Sequence, residues 1–160
     1  MNFDEEMLRF ARTRGHSPGA ERAVARFSRL GEHAAIWLAI GLAGRALDPA
    51  RRSGWDRATA AVGGAYVTNT AIKLAVRRRR PNIPGLPPLT STPTGLSFPS
   101  AHAASSFAGA LAYSRLGLPA APLYGLASSL ALSRLYLGVH YPSDVLVGAV
   151  LGTAVASRLT

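Results

Sequence analysis

The chain has 160 residues, enough for one domain, and combines 48% hydrophobic residues with a formal net charge of +10. It has no cysteine, which excludes disulfides, thiolate metal sites and a cysteine nucleophile. Greasy and basic together point to a membrane. A nucleic-acid binder is disfavoured, because the charge gathers at the ends of apolar stretches with no basic aromatic platform beside it.

Residues 1–29 open with Asp4, Glu5, Glu6, Arg9, Arg12 and Arg14 and lack the apolar run of a secretory signal. Val24, Phe27 and Leu30 recur at helical spacing among Arg22, Arg26 and Arg29, the pattern of a basic amphipathic helix in a membrane interface. Phe3, Met7 and Phe10 repeat it, and His16 falls between the two as a solvated loop residue. Apolar stretches follow at Leu30–Leu47, Ala58–Val76, Ala101–Leu118, Ala120–Gly138 and Val145–Leu159. Each runs about 15 to 20 residues, against the roughly 20 that a helix needs to cross a bilayer. The expected fold is all-α: an integral membrane helical bundle of about five transmembrane helices over 30–160, preceded by the amphipathic segment 1–29. Gly148 and Gly152, with Ala104 and Ala108, supply small residues for close helix contact inside that bundle. Between the second and third stretches, residues 81–98 carry Pro81, Pro84, Pro87, Pro88 and Pro93, so this segment is a long loop and not a helix.

The polar residues set into this sequence are sparse and ordered. Lys73 is the lone lysine, and Asp144 is the lone carboxylate after Asp56. They belong to three runs: Lys73 to Arg80-Pro81, Pro99-Ser100-Ala101-His102, and Ser133-Arg134 through His140 to Asp144. Alternating spans bring all three to one membrane face, where ionisable residues are costly and usually functional. Lys73, Arg77 and Arg80 would share a stripe on a helix continued that far. Pro99 suits the first position of a helix, leaving the N–H groups of Ser100 and Ala101 free, and Tyr141-Pro142-Ser143-Asp144 repeats the arrangement. Helix N-termini and fixed cations facing one space make a phosphate site.

His140 can donate its Nδ1 proton to Asp144 and keep Nε2 free as a nucleophile, while His102 serves as general acid. Taken alone, Asp144 reads equally well as a helix N-terminal charge. Because the cations stabilise the transferring phosphoryl group, neither a metal nor another cofactor is required. Arg77 to Arg79 read as a juxtamembrane anchor to anionic lipid, and Glu32-His33 as an interfacial polar pair.

The three runs resemble the signature of the type-2 phosphatidic acid phosphatase superfamily, which also includes the vanadium haloperoxidases. The resemblance covers Lys73 to Asp144 by motif, with Ala101 standing where the family usually has glycine. It implies that His140 forms a phosphohistidine, Asp144 orients it, and His102 protonates the leaving oxygen and later activates water. It also implies that Lys73, Arg80, Ser100, the Ala101 backbone and Arg134 hold the phosphate. The partners implied are a lipid phosphate and the bilayer. The arginine-rich, Ala/Gly-rich chain with its Gly31-Glu32-His33 segment is similar to small actinobacterial members, which implies decaprenyl-phosphoribose 5-phosphate as substrate. Isoprenyl pyrophosphates, phosphatidate and phosphatidylglycerophosphate are alternatives, and a non-catalytic lipid-phosphate-binding scaffold is the competing class. Arginines of segment 1–29 and Arg77 to Arg79 fall on the motif face, so the positive-inside bias predicts a cytoplasmic-facing site in a bacterial inner membrane.

Overall fold

The computed structural model describes residues 3–160 and is all-helical, with no β-strand among them. Two short helices, α1 (Phe3–Thr13) and α2 (Pro18–Ser28), precede five longer ones: α3 (Ala35–Leu47), α4 (Arg52–Val76), α5 (Ala101–Ser114), α6 (Ala120–Tyr136) and α7 (Pro142–Leu159). Each of the five apolar stretches in the sequence therefore corresponds to a helix. α1 begins with Asp4, Glu5 and Glu6 and ends near Arg12, charges that complement the helix dipole. α2 is capped by Ser17, whose hydroxyl accepts the Ala20 N–H at 3.2 Å, with Pro18 opening the helix.

α5 is the central helix, packed against α4, α6 and α7. Its composition explains this position: Ala103, Ala104, Ala108, Gly109 and Ala112 leave room for neighbouring backbones on several sides. Gly148 and Gly152 of α7 meet Ser100, Ala103 and Ala104 of the same chain, so these small residues serve packing within the bundle. At the end remote from the phosphate motifs, Trp37, Trp55 and Tyr113 form an aromatic cluster. Their polar atoms are satisfied: Trp37 Nε1 donates to Ser106 Oγ at 2.9 Å, and Tyr113 Oη donates to the Trp37 carbonyl at 2.7 Å.

No helix among the described residues is both long and apolar enough to cross a membrane on its own. α3, α5 and α6 have 13, 14 and 17 residues. α4 reaches 25, but it carries Arg52, Asp56, Arg57, Asn69 and Lys73 among its apolar residues. The N-terminal segment is also more embedded than an amphipathic surface helix. Leu8, Arg12 and Ser28 are buried, and Arg12 donates to the carbonyls of Pro87 and Tyr136 at 2.6 and 3.3 Å. His16 is not a free loop residue either: it stacks on Tyr136 with ring centroids 4.0 Å apart.

Candidate active site

The three polar runs converge at one end of the bundle. Lys73, Arg80, Ala101, His102, Arg134 and His140 line a common cavity of about 230 Å³. Lys73 sits in the last turn of α4, and its Nζ donates to the carbonyls of Pro99 and Leu96 at 2.8 and 3.3 Å. Here the helix stops. Arg77 is left-handed (φ 56) and its N–H returns to the Lys73 carbonyl at 3.0 Å. The expected helical stripe of Lys73, Arg77 and Arg80 is therefore not formed. Arg77 is exposed, and Arg80 reaches the site from the non-helical chain that follows.

Arg80 joins the loop to the turn before α7. Its Nε donates to the Thr94 carbonyl at 2.8 Å, and its Nη1 donates to the Val139 carbonyl at 2.7 Å while lying 3.3 Å from His140 Nε2. Burial lowers its pKa to about 10, with Asp144 acting the other way, so the guanidinium stays charged at neutral pH. Gly138 (φ 72) makes the turn that ends α6 and delivers His140, and a Cβ at this position would meet Arg12.

His140 is 3% exposed, and behind it Asp144 is fully buried. His140 Nδ1 lies 3.4 Å from Asp144 Oδ2, an ion-pair distance without the alignment of a good hydrogen bond. Asp144 also caps α7, its Oδ2 accepting the Tyr141 N–H at 2.8 Å, so the helix-charge role and the histidine-facing role coexist. Burial would raise this carboxyl. The adjacent His140 ring, the Tyr141 N–H and the charge of Arg78 outweigh that and hold it below the usual range.

Two expectations at the start of α5 need correction. The helix begins at Ala101, so Pro99 lies outside it and Ser100 is the N-cap. The Ser100 N–H is engaged by the Asp144 carbonyl at 2.9 Å, and its side chain is buried and does not line the cavity. Ser100 thus couples α5 to α7, while Ala101, first in the helix, keeps an N–H with no intrahelical acceptor.

Two residues not expected at the site, Ser28 and Arg78, make polar contacts around this core. Ser28, at the end of α2, accepts from Arg134 Nη1 at 2.7 Å, sits 3.0 Å from the Ser133 hydroxyl, and through its carbonyl accepts from His102 Nε2 at 3.0 Å. Nothing in the sequence marks this serine. Arg78, taken as part of a lipid anchor, instead donates to Ser143 Oγ at 2.7 Å and Asp144 Oδ1 at 3.0 Å through Nη1, and to Asp4 Oδ2 at 2.8 Å through Nη2. It also lies over the Tyr141 ring.

Arg134 is 6% exposed and its buried Nε has no partner, as suits a guanidinium built to meet an oxyanion. The described residues contain no cluster of three or more His, Asp or Glu placed to hold a metal ion. A cavity walled by Lys73, Arg80 and Arg134, with a buried imidazole at its base, suits a phosphate group.

Relatives agree with this chemistry. The decaprenylphosphoryl-5-phosphoribose phosphatase of Mycobacterium tuberculosis is 44% identical over 141 residues, covering 88% of this chain and 78% of the relative. The protein of the same name from Mycolicibacterium smegmatis is 43% identical over 132 residues, covering 82% and 72%. Among solved structures, Aquifex aeolicus LpxE superposes with a TM-score of 0.83 at 25% identity, covering 99% of this chain and 94% of that one. A PAP2-type phosphatidylglycerolphosphate phosphatase from Bacillus subtilis shares the fold with a TM-score of 0.74 at 23% identity, covering 98% and 82%. Residues 57–160, holding the three polar runs, match the family model of the PAP2 superfamily, and the chain belongs to that superfamily of phosphatases.

Proposed function

We propose that this phosphatase hydrolyses the phosphomonoester of a polyprenyl-linked headgroup through a phosphohistidine, with decaprenylphosphoryl-5-phosphoribose, the compound its relatives are named for, as the specific substrate. The observation that carries the mechanism is the setting of His140, with Arg80 at Nε2 and Asp144 at Nδ1. Nε2 attacks phosphorus, forming a P–N bond as the P–O bond to the headgroup breaks, and His102 gives a proton to the departing oxygen. Since the Ser28 carbonyl holds the Nε2 proton of His102, the proton given comes from Nδ1, so His102 enters this step as the imidazolium, a form the bound phosphate favours, and leaves it neutral. Then His102 takes a proton from water, whose oxygen displaces Nε2 and releases phosphate. Lys73, Arg80, Arg134 and the Ala101 N–H neutralise the phosphoryl oxygens throughout, so the charge work needs no metal.

We place the bundle in the bilayer, with spans at 30–47, 58–76, 101–118, 120–138 and 145–159. Support comes from large apolar side chains turned outward on several helices: Leu42, Val67, Leu74, Leu132, Leu146 and Val150. Phe3, Met7 and Phe10 of α1 are exposed as well, as an interfacial helix requires. α1 and α2 lie at the site end, which adds their arginines to that face and supports a cytoplasmic-facing site in a bacterial inner membrane. Labelling tests the orientation cleanly, because the chain has no cysteine. Asn82→Cys should resist an impermeant thiol reagent in intact cells and Ser53→Cys should react, whereas the reverse pattern would overturn the assignment.

For the reaction, detergent-purified protein is offered lipid phosphomonoesters and pyrophosphates beside His140→Ala. Phosphate release and an acid-labile, base-stable phosphoenzyme are expected from the wild type alone. Equal release by both proteins would remove the nucleophile assignment, and release by neither would remove the phosphatase reading.

A further inference from the structure

The cavity extends past the phosphate cradle. Besides Lys73, Arg80 and Arg134, its lining includes Arg29, Glu32, His33, Tyr66, Thr90 and Ser91. The lining therefore adds hydroxyls and one carboxylate to the cations. Such a wall suits a neutral, hydroxylated group better than a second phosphate.

Glu32 is carried there by an unusual backbone. The 3-10 segment Arg29–Ala34 breaks at Glu32 (ψ 132), and His33 (φ 50) and Ala34 (φ 61) are successive left-handed residues without being glycine. Residues with a Cβ enter that region at a cost, which the surroundings must over-determine. Two contacts do so: His33 Nδ1 is 2.9 Å from Tyr66 Oη, and Gly31 is pressed against the His102 ring, where a Cβ would come within 2.7 Å of Cδ2. The turn is therefore wedged between a wall residue and one of the two site histidines.

The Glu32 side chain itself has no such anchor. Among the described residues its carboxylate makes no hydrogen bond or ion pair, although its charge is felt at Arg134. A carboxylate on the wall of an anion-binding cavity works against binding unless another part of the substrate uses it. Its two oxygens accept hydrogen bonds from two adjacent hydroxyls, and its charge repels a second phosphoryl group.

We propose that Glu32, with Tyr66 and the hydroxyls of Thr90 and Ser91, forms a polyol subsite that binds a vicinal diol on the group bearing the phosphate and disfavours pyrophosphates. The proposal rests on the phosphatase reading and adds the residue that selects among lipid phosphates. If Glu32 only balanced the charge of Arg134, removing it would affect every phosphate substrate alike.

The test compares wild type with Glu32→Gln, which keeps the shape and removes the charge. Three substrates share one lipid chain: a pentose 5-phosphate with a free diol, an alkyl phosphate without hydroxyls, and an alkyl pyrophosphate. The ratio of kcat/KM for the diol substrate over the alkyl phosphate should fall about tenfold in Glu32→Gln, the scale of a lost hydrogen bond to a charged group. The ratio of pyrophosphate over alkyl phosphate should rise. Unchanged ratios, or an equal loss on all three substrates with a matching thermal melt, would overturn the subsite while leaving the phosphatase intact. Turnover of none of the three by the wild type would instead sink the phosphatase reading.

Discussion

Arg80 Nη1 and His140 Nε2 lie 3.3 Å apart, and this contact fixes the tautomer of the histidine. A guanidinium can only donate, so Nε2 accepts and the ring proton sits on Nδ1, the side facing Asp144. An imidazole so held presents an unprotonated Nε2 to the cavity. Arg80 therefore acts on the nucleophile as well as on the phosphate.

Asp144→Asn tests that arrangement. An amide at this position can offer its NH₂ to Nδ1, which moves the proton to Nε2 and removes the nucleophile. By analogy with the loss seen when the buried aspartate of a Ser-His-Asp triad becomes asparagine, kcat should drop by about three to four orders of magnitude with KM little altered. If KM rises while kcat holds, Asp144 is only a helix cap.

Arg78 gives a prediction that separates it from its neighbours. Asp144 is fully buried while Arg78 is about a third exposed, so removing the arginine leaves a buried charge short of a partner. Arg78→Ala should cost about 3 kcal/mol of stability, the lower end of the range for a broken buried pair. It should also lower kcat more than KM, because it acts through Asp144 and not on substrate. Arg77→Ala and Arg79→Ala, both at exposed positions, should do neither. Thermal melts in detergent beside steady-state kinetics for the three variants decide the point, and equal effects at all three would return Arg78 to the role of lipid anchor.

Acid stability follows from His140. Burial is the main cause that takes its pKa from 6.5 to about 3, with Asp144 acting the other way and Arg80 and Arg134 pushing it further down. Because the folded value is the lower one, the unfolded chain binds more protons between these limits, and folding stability rises with pH across that window. The contribution is complete above about pH 6.5 and is lost as pH falls toward 3. Asp4 adds to the loss only lower down: burial opposes it, but hydrogen bonds from Ser143 and Arg78 hold its carboxyl below 3.8. Melting temperatures of the wild type should therefore fall from pH 6.5 to 4.5. His140→Gln should show a flatter profile, and parallel profiles would mean that His140 is protonated in the folded protein.

Most of the site could be read from spacing because its chemistry is stringent. Each helix delivers its polar residues at one end, and alternation of helices gathers Lys73, His102, Arg134 and His140 without knowledge of any distance. What spacing cannot show is where a helix stops when the cap is not glycine. Arg77 takes the left-handed position itself, and this turns Arg78 toward Asp144 and Arg80 toward His140. Nor does periodicity reveal contacts between distant segments, such as Ser28 with Arg134 or Asp4 with Ser143. The apolar stretches were recognisable as helices, while three of them form helices of only 13, 14 and 17 residues, shorter than an ordinary span.

The same close packing supplies the last prediction. A Cβ at Gly152 would collide with the Ala104 carbonyl, and one at Gly148 with the Ser100 carbonyl, backbone atoms that cannot move aside. Gly63, in the middle of α4, has nothing within 4 Å of its would-be Cβ. Gly63→Ala should stabilise the protein by up to about 1 kcal/mol through helix propensity, while Gly152→Ala should cost about 2 kcal/mol by overpacking. Gly148→Ala should cost activity as well. It pushes on Ser100, whose N–H holds the Asp144 carbonyl, so a shift of α7 against α5 displaces Asp144 from His140. Thermal melts and kcat of the three variants measure this. A Gly148→Ala enzyme with lowered stability but full kcat would show that the α5–α7 contact supports the fold without setting the geometry of the nucleophile.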